Sequence, residues 1–142
     1  MKYLYSSLLM IAVIFTLTSC TKKSWLRPYD DRIEGSWEIT DVYKTGFGNT
    51  NLAFDGGLFT FYGSGRLAYE DGYGGYYEGD WDFRNINTGD GTIKTLKVYC
   101  VDHENGDVLG EFFDEVVFTG TNRFEAYIYD GPRTYTYKFR RR

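Results

Sequence analysis

From Gly35 onward, apolar and polar residues alternate with a period near two, and no stretch keeps a 3.6-residue apolar period beyond a turn or two. The alternation predicts strands. The first is Ser36–Tyr43, with Trp37, Ile39 and Tyr43 sharing a face. Leu58–Tyr62 and Arg66–Glu70 flank Gly63-Ser64-Gly65, a short turn that glycine makes accessible. Tyr76–Arg84 follows the turn Asp71–Gly75 and sets Trp81 and Phe83 in phase against Asp80 and Asp82. Asn85–Gly91 reads as a longer polar turn. Thr92–Val101 and Asp107–Phe118 are joined through Asn105-Gly106, a strong hairpin signal. Phe112 and Phe113 are adjacent and point to opposite faces, so a bulge or two short strands are expected there. Arg123–Tyr129 and Arg133–Arg141 meet at Asp130-Gly131-Pro132, and the last strand alternates strictly, with one wet face and one buried face.

Such strands, joined in order by short turns, describe an all-β, up-and-down antiparallel meander. Closing it into an eight-stranded barrel would remove the exposed edges. A barrel of that size has an interior that side chains fill or that holds one small ligand. The closing step would pair the last strand with the first and bring Arg141 over Trp37, a contact of about 0.5–2 kcal/mol that floors the barrel.

The chain ahead of Gly35 has another character. Lys2 is followed by an apolar run, Leu8–Leu17, and then by Leu17-Thr18-Ser19-Cys20. The run is too short to be a permanent span of a bilayer about 30 Å thick and lacks a stop-transfer flank, so residues 1–19 read as a removable export signal. The tetrapeptide looks like a lipobox, with Cys20 as the lipidated residue and an acyl anchor to a membrane as its consequence. Residues 20–34 read as a tether without helix or strand period, and residues 35–142 as the domain. Lys22, Lys23 and Arg27 beside the lipid favour an anionic surface by about 1 kcal/mol each. Trp25 and Tyr29 sit at the headgroups or fold back onto the domain. No aspartate immediately follows Cys20, and Thr21-Lys22-Lys23-Ser24 lacks an acidic cluster, so the expected location is the bacterial outer membrane, facing the periplasm.

Composition narrows the function. The net charge of −4, without a basic stripe, argues against nucleic acid as a partner. Aromatic residues make up 20% of the chain, beside 17 glycines, which matches strands separated by tight turns. With Cys20 committed to lipid, Cys100 has no partner for a disulfide and reads as a small buried hydrophobe rather than a nucleophile served by His103. Glu70, Asp71, Glu78, Asp80 and Asp82 are close in sequence, but Asp80 and Asp82 lie in the polar phase of a strand and read as a solvated face. There is no Gly-x-Ser-x-Gly elbow, histidine pair, Cys-x-x-Cys or phosphate loop, so the expectation is a protein that is not an enzyme and takes no metal or cofactor.

Gly35-Ser36-Trp37 resembles the Gly-x-Trp motif that opens the first strand of the lipocalins. In order, Leu58–Gly65, Gly79-Asp80-Trp81, Ile93-x-x-Leu96 and Tyr137–Arg140 resemble the lipocalin-like lipoproteins common in Bacteroidota. The resemblance implies a lipocalin-like barrel, with Arg141 laid across Trp37. The Thr-Asp-Tyr motif of the central loop and a C-terminal helix are absent from the chain.

Two binding readings follow. Tyr43, Phe59, Phe61, Tyr69, Trp81, Phe83, Tyr135 and Tyr137 either line a cavity for a small hydrophobic or amphipathic ligand or fill the interior themselves. Tyr73, Tyr76 and Tyr77 either form an exposed platform for a glycan or an envelope protein, or make one strand face and a rigid turn.

Overall fold

The computed structural model describes residues 28–142. The export signal at 1–19, Cys20 and the tether as far as residue 27, Trp25 included, lie outside the described residues. Among the described residues, one short helix, α1 (Tyr29–Ile33), precedes nine strands: β1 (Gly35–Thr45), β2 (Leu58–Phe61), β3 (Arg66–Glu70), β4 (Tyr76–Thr88), β5 (Gly91–Val101), β6 (Val108–Phe113), β7 (Glu115–Phe118), β8 (Arg123–Asp130) and β9 (Arg133–Arg141). They form one antiparallel sheet in the order β6-β5-β4-β3-β2-β1-β9-β8-β7.

The first and last strands pair, from Trp37 opposite Arg141 to Thr45 opposite Thr134. The hydrogen-bonded order nevertheless stays open, which corrects the expected closed ring of eight strands. Its two ends, β6 and β7, are consecutive in the chain and separated by Asp114 alone. The expected strand Asp107–Phe118 is therefore two short ones, as the Phe112-Phe113 pair suggests: Phe112 is exposed and Phe113 is buried. Asp114 holds the break in place, because its N–H donates to Tyr127 O at 2.8 Å and its carboxylate accepts from Tyr129 N–H at 2.7 Å. A side chain here takes over a bond that a regular ladder would supply.

Three further expectations change. In β1 the register shifts between Ile39 and Asp41, so the inward phase carried by Trp37 and Ile39 passes to Val42. Tyr43 consequently faces outward at 40% exposure, with Lys138 Nζ 5.0 Å from its ring centre. The polar turn expected at Asn85–Gly91 is mostly strand. Ile86 pairs with Ile93 and Asn87 with Thr92, leaving Gly89-Asp90 as a two-residue turn. β-branched residues opposite one another stabilise such a ribbon more than the local polarity opposes it. Finally, residues 29–33 of the stretch read as tether are helical, and Ile33 is fully buried in the core.

The strands alternate in direction, which sorts the connections between two ends. The loop at 46–57 and the turns at 71–75, 102–107 and 131–132 lie at one end, while α1 enters at the other. The core between them is aromatic. Phe124 stacks on Phe139 at 4.3 Å between ring centres, Phe59 sits 4.6 Å from Tyr69, and Phe113 meets Tyr137 edge-on at 5.1 Å.

At the α1 end, consecutive carbonyls of the short helix need donors. Trp37 Nε1 donates to Ile33 O at 2.5 Å, and Arg141 donates from Nη2 to Arg32 O and from Nη1 to Glu34 O, each at 2.7 Å. The Arg141 guanidinium carbon lies 4.3 Å from the Trp37 ring centre. Gly35 makes room for it: its φ is +111°, and a Cβ there would stand 2.6 Å from Arg141 Nη1. The glycine of Gly-x-Trp is thus required twice, by backbone conformation and by the arginine passing over it.

Candidate functional site

Of the rings expected to face inward, Phe59, Phe61, Tyr69, Tyr135 and Tyr137 are brought together in the core. Trp81 and Phe83 sit half-buried at its margin, with Trp81 5.7 Å from Phe61 and 6.1 Å from Phe83. The residue that sequence reasoning missed is Phe54. It belongs to the Gly- and Asn-rich loop, yet it is buried and meets Phe59 at 4.9 Å and Tyr69 at 4.8 Å. The loop holds two phenylalanines, Phe47 and Phe54, and the available signal for the buried one was the short apolar run Leu52-Ala53-Phe54.

Two tyrosines pin that loop. Tyr69 Oη donates to Gly56 O at 2.8 Å, and Tyr137 Oη donates to Phe54 O at 2.9 Å. Burial pushes both phenols well above the usual tyrosine range, so they stay protonated donors at any physiological pH. Tyr135 Oη is also buried and has no hydrogen-bond partner among the described residues. Burial raises the Cys100 thiol to about 11, which suits the inert hydrophobe expected.

The unpaired hydroxyl leads to a stability prediction. An unsatisfied buried polar atom costs about 1–3 kcal/mol, so Tyr135→Phe should raise the unfolding free energy by about 1 kcal/mol in urea titrations. A loss of stability of that size would show that the hydroxyl has a partner.

The three tyrosines near Gly74 do not form one patch. Tyr73 is 88% exposed, Tyr76 is 51% exposed and Tyr77 is 9% exposed, because neighbours in a strand face opposite ways. Tyr77 joins the core beside Tyr69, with ring centres 5.7 Å apart. Asp71 fixes the turn, its Oδ1 accepting from Tyr73 N–H at 2.7 Å and Gly75 N–H at 2.9 Å.

Tyr76 instead borders an open groove of about 350 Å³ with Gly74, Glu78, Asp102, His103, Glu104 and Asn105. The far wall of the groove is the β5–β6 turn, and Asp102 makes it rigid. Its carboxylate accepts from Asn105 Nδ2 at 2.7 Å and from Glu104 N–H at 2.8 Å. These bonds, the Asn105 side chain foremost, hold its pKa below the usual carboxylate range. Glu78 takes a 3.4 Å hydrogen bond from Tyr76 Oη and lies 3.9 Å from Arg66, an exposed pair that contributes little to stability.

A second groove of about 310 Å³ lies further along β4 and β5, between Trp81, Tyr99, Asp80, Asp82, Arg84 and Lys97. Asp82 is paired with Arg84 at 2.7 Å, and Asp80 is exposed. The outer face of this ribbon therefore alternates aromatic rings with carboxylates and cations. Among the described residues, no three of His, Cys, Asp and Glu stand close enough to share a metal ion.

Comparison with protein-family models, with curated proteins and with solved structures finds no match to this chain. The functional reading accordingly rests on the residues themselves.

Proposed function

We propose that this chain is a non-catalytic, lipid-anchored envelope protein that binds a glycan on the outer surface of β4 and β5. The observation that carries the reading is the groove bordered by Tyr76, which combines an exposed ring with Glu78, His103, Glu104 and Asn105 around about 350 Å³. A sugar presents an apolar C–H face, which stacks on an aromatic ring, and a rim of hydroxyls, which carboxylates and amides accept from or donate to. The groove lies at the end of the sheet remote from α1, so a tether at the N-terminus leaves it unobstructed.

Cys20 carries the anchor, and the outer membrane facing the periplasm is the location. Titration with oligosaccharides released from the protein's own envelope tests the binding site. Tyr76→Ala should weaken binding by tenfold or more, in line with about 1.4 kcal/mol for one stacked ring. Unchanged affinity in that variant would refute the groove.

A specific observation favours a second reading, capture of a small amphipathic molecule inside the sheet. Tyr135 Oη is a buried polar handle without a partner among the described residues, and Phe54 fills the core from a loop rather than from a strand. Native mass spectrometry of protein taken from its envelope without denaturation separates the two readings, since a retained small-molecule mass that disappears in Tyr135→Phe belongs to the interior.

A further inference from the structure

The outer face of β1, β8 and β9 carries a groove of about 440 Å³, lined by Thr40, Thr119, Arg123, Glu125, Lys138 and Arg140 together with Phe124 and Phe139. It is rich in cations on a chain whose net charge is −4. Arg123 and Arg140 are direct partners across the β8–β9 ladder. Like charges placed directly opposite are destabilising, so this arrangement costs stability unless an anion lies between them. Arg140 is already turned toward Glu38, with Nη2 at 3.1 Å, and Arg142 shares that carboxylate. Among the described residues, no carboxylate pairs with Arg123. Glu125, the acid in the groove wall, accepts from the Tyr127 hydroxyl and stands directly opposite Lys138 across the ladder, which leaves Arg123 as the cation without a balancing carboxylate. Asp41 stands opposite Lys138 in the β1–β9 register, at the far side from Arg123.

The position of the groove says which anion it meets. Thr119 is adjacent to Gly120, whose carbonyl accepts from Arg32 Nη2 of α1 at 3.3 Å. The chain thus enters the domain beside this groove, at the end of the sheet opposite Tyr76. Eleven residues lie between Cys20 and Arg32, a reach of about 40 Å at most when extended. We propose that Arg123, Arg140 and Lys138 form a site for the phosphate groups of anionic lipid headgroups, which docks the domain on the membrane that holds its anchor. The proposal rests on the Cys20 anchor for the source of the phosphate. It leaves the β4–β5 surface facing away from the bilayer.

The test uses the full chain in neutral detergent micelles, with the arginine Nε–Hε and lysine side-chain signals followed by NMR. Adding phosphatidylglycerol to the micelles should move the Arg123, Arg140 and Lys138 signals, and phosphatidylcholine should not. Arg123→Gln should raise the phosphatidylglycerol content needed for half the Lys138 shift about fivefold. Arg123 is exposed, so the variant keeps the fold, and its backbone amide spectrum checks this. Absence of any shift with phosphatidylglycerol overturns the proposal. A shift with inorganic phosphate but not with the lipid also overturns it, in favour of a free oxyanion site. The intact mass of the same sample reports on Cys20 separately. A chain without acyl mass whose signals still move refutes the anchor and upholds the groove.

Discussion

Trp37→Ala should lower the unfolding free energy by about 3–5 kcal/mol, a fall in Tm of more than about 10 °C. Trp37 is fully buried and meets Phe124 edge-on at 4.8 Å and Phe118 at 6.0 Å, so its removal opens a cavity walled by rings that cannot collapse into it. The loss goes beyond packing. Ile33 O is left without the indole N–H in a buried place, and the Arg141 guanidinium loses the ring face beneath it. Arg141→Gln is the informative companion, because it keeps the ring and removes the bonds to Arg32 O and Glu34 O. The two losses should be less than additive, since both variants release α1. A thermal melt of Trp37→Ala that matches the unaltered protein would show that this end of the sheet is held by something else.

The second large effect is expected at Gly79, for a steric reason. Gly79 pairs with Cys100 in the ladder between β4 and β5. A Cβ added there would stand 1.8 Å from Tyr99 O and 2.6 Å from Cys100 Cα, both backbone atoms that no rotamer change can move aside. Gly79→Ala must therefore part the two strands, and with them the positions of Tyr77, Val98 and Cys100 in the core. We expect a loss exceeding about 4 kcal/mol, seen as failure to give dispersed amide signals at room temperature. Gly110→Ala is the control. Its Cβ would meet Tyr99 Cδ2 at 3.5 Å and Val98 O at 3.6 Å, ordinary contacts, and that variant should fold normally. If Gly79→Ala folds as well as Gly110→Ala, the close approach of β4 and β5 is wrong.

These two positions illustrate how far the sequence could be read. Gly-x-Trp was visible as a motif, and the pairing of Trp37 with Arg141 followed from phase along the last strand. Gly79 gave no signal as a steric requirement, because a glycine inside an alternating strand looks the same whether or not another backbone lies against it. The exposed platform expected at Tyr73, Tyr76 and Tyr77 was legible only in part. Alternation separates Tyr76 from Tyr77, but the second wall of the groove comes from the β5–β6 turn, remote in sequence.

Tyr43 was misplaced and Phe54 was missed for related reasons. A period-two pattern holds only while the register holds, and the shift between Ile39 and Asp41 moved every later residue of β1 to the other face. Phe54 belongs to no periodic segment, and its burial is decided by the space that β2, β3 and β9 leave open at one end.

Most strand positions and turns, and the inward face of each strand whose register holds, were determined by the sequence itself, since each depends on residues within a few positions of one another; β1 beyond Ile39 and the ribbon at Asn85–Thr88 are the exceptions. The tertiary structure alone decided that β6 and β7 end the ladder on either side of Asp114, that a loop phenylalanine fills the core, and that Arg123 faces Arg140. The physical reason is that these outcomes depend on contacts between segments far apart in the chain. Local propensity does not encode such distances, and packing settles them only when the whole sheet has formed.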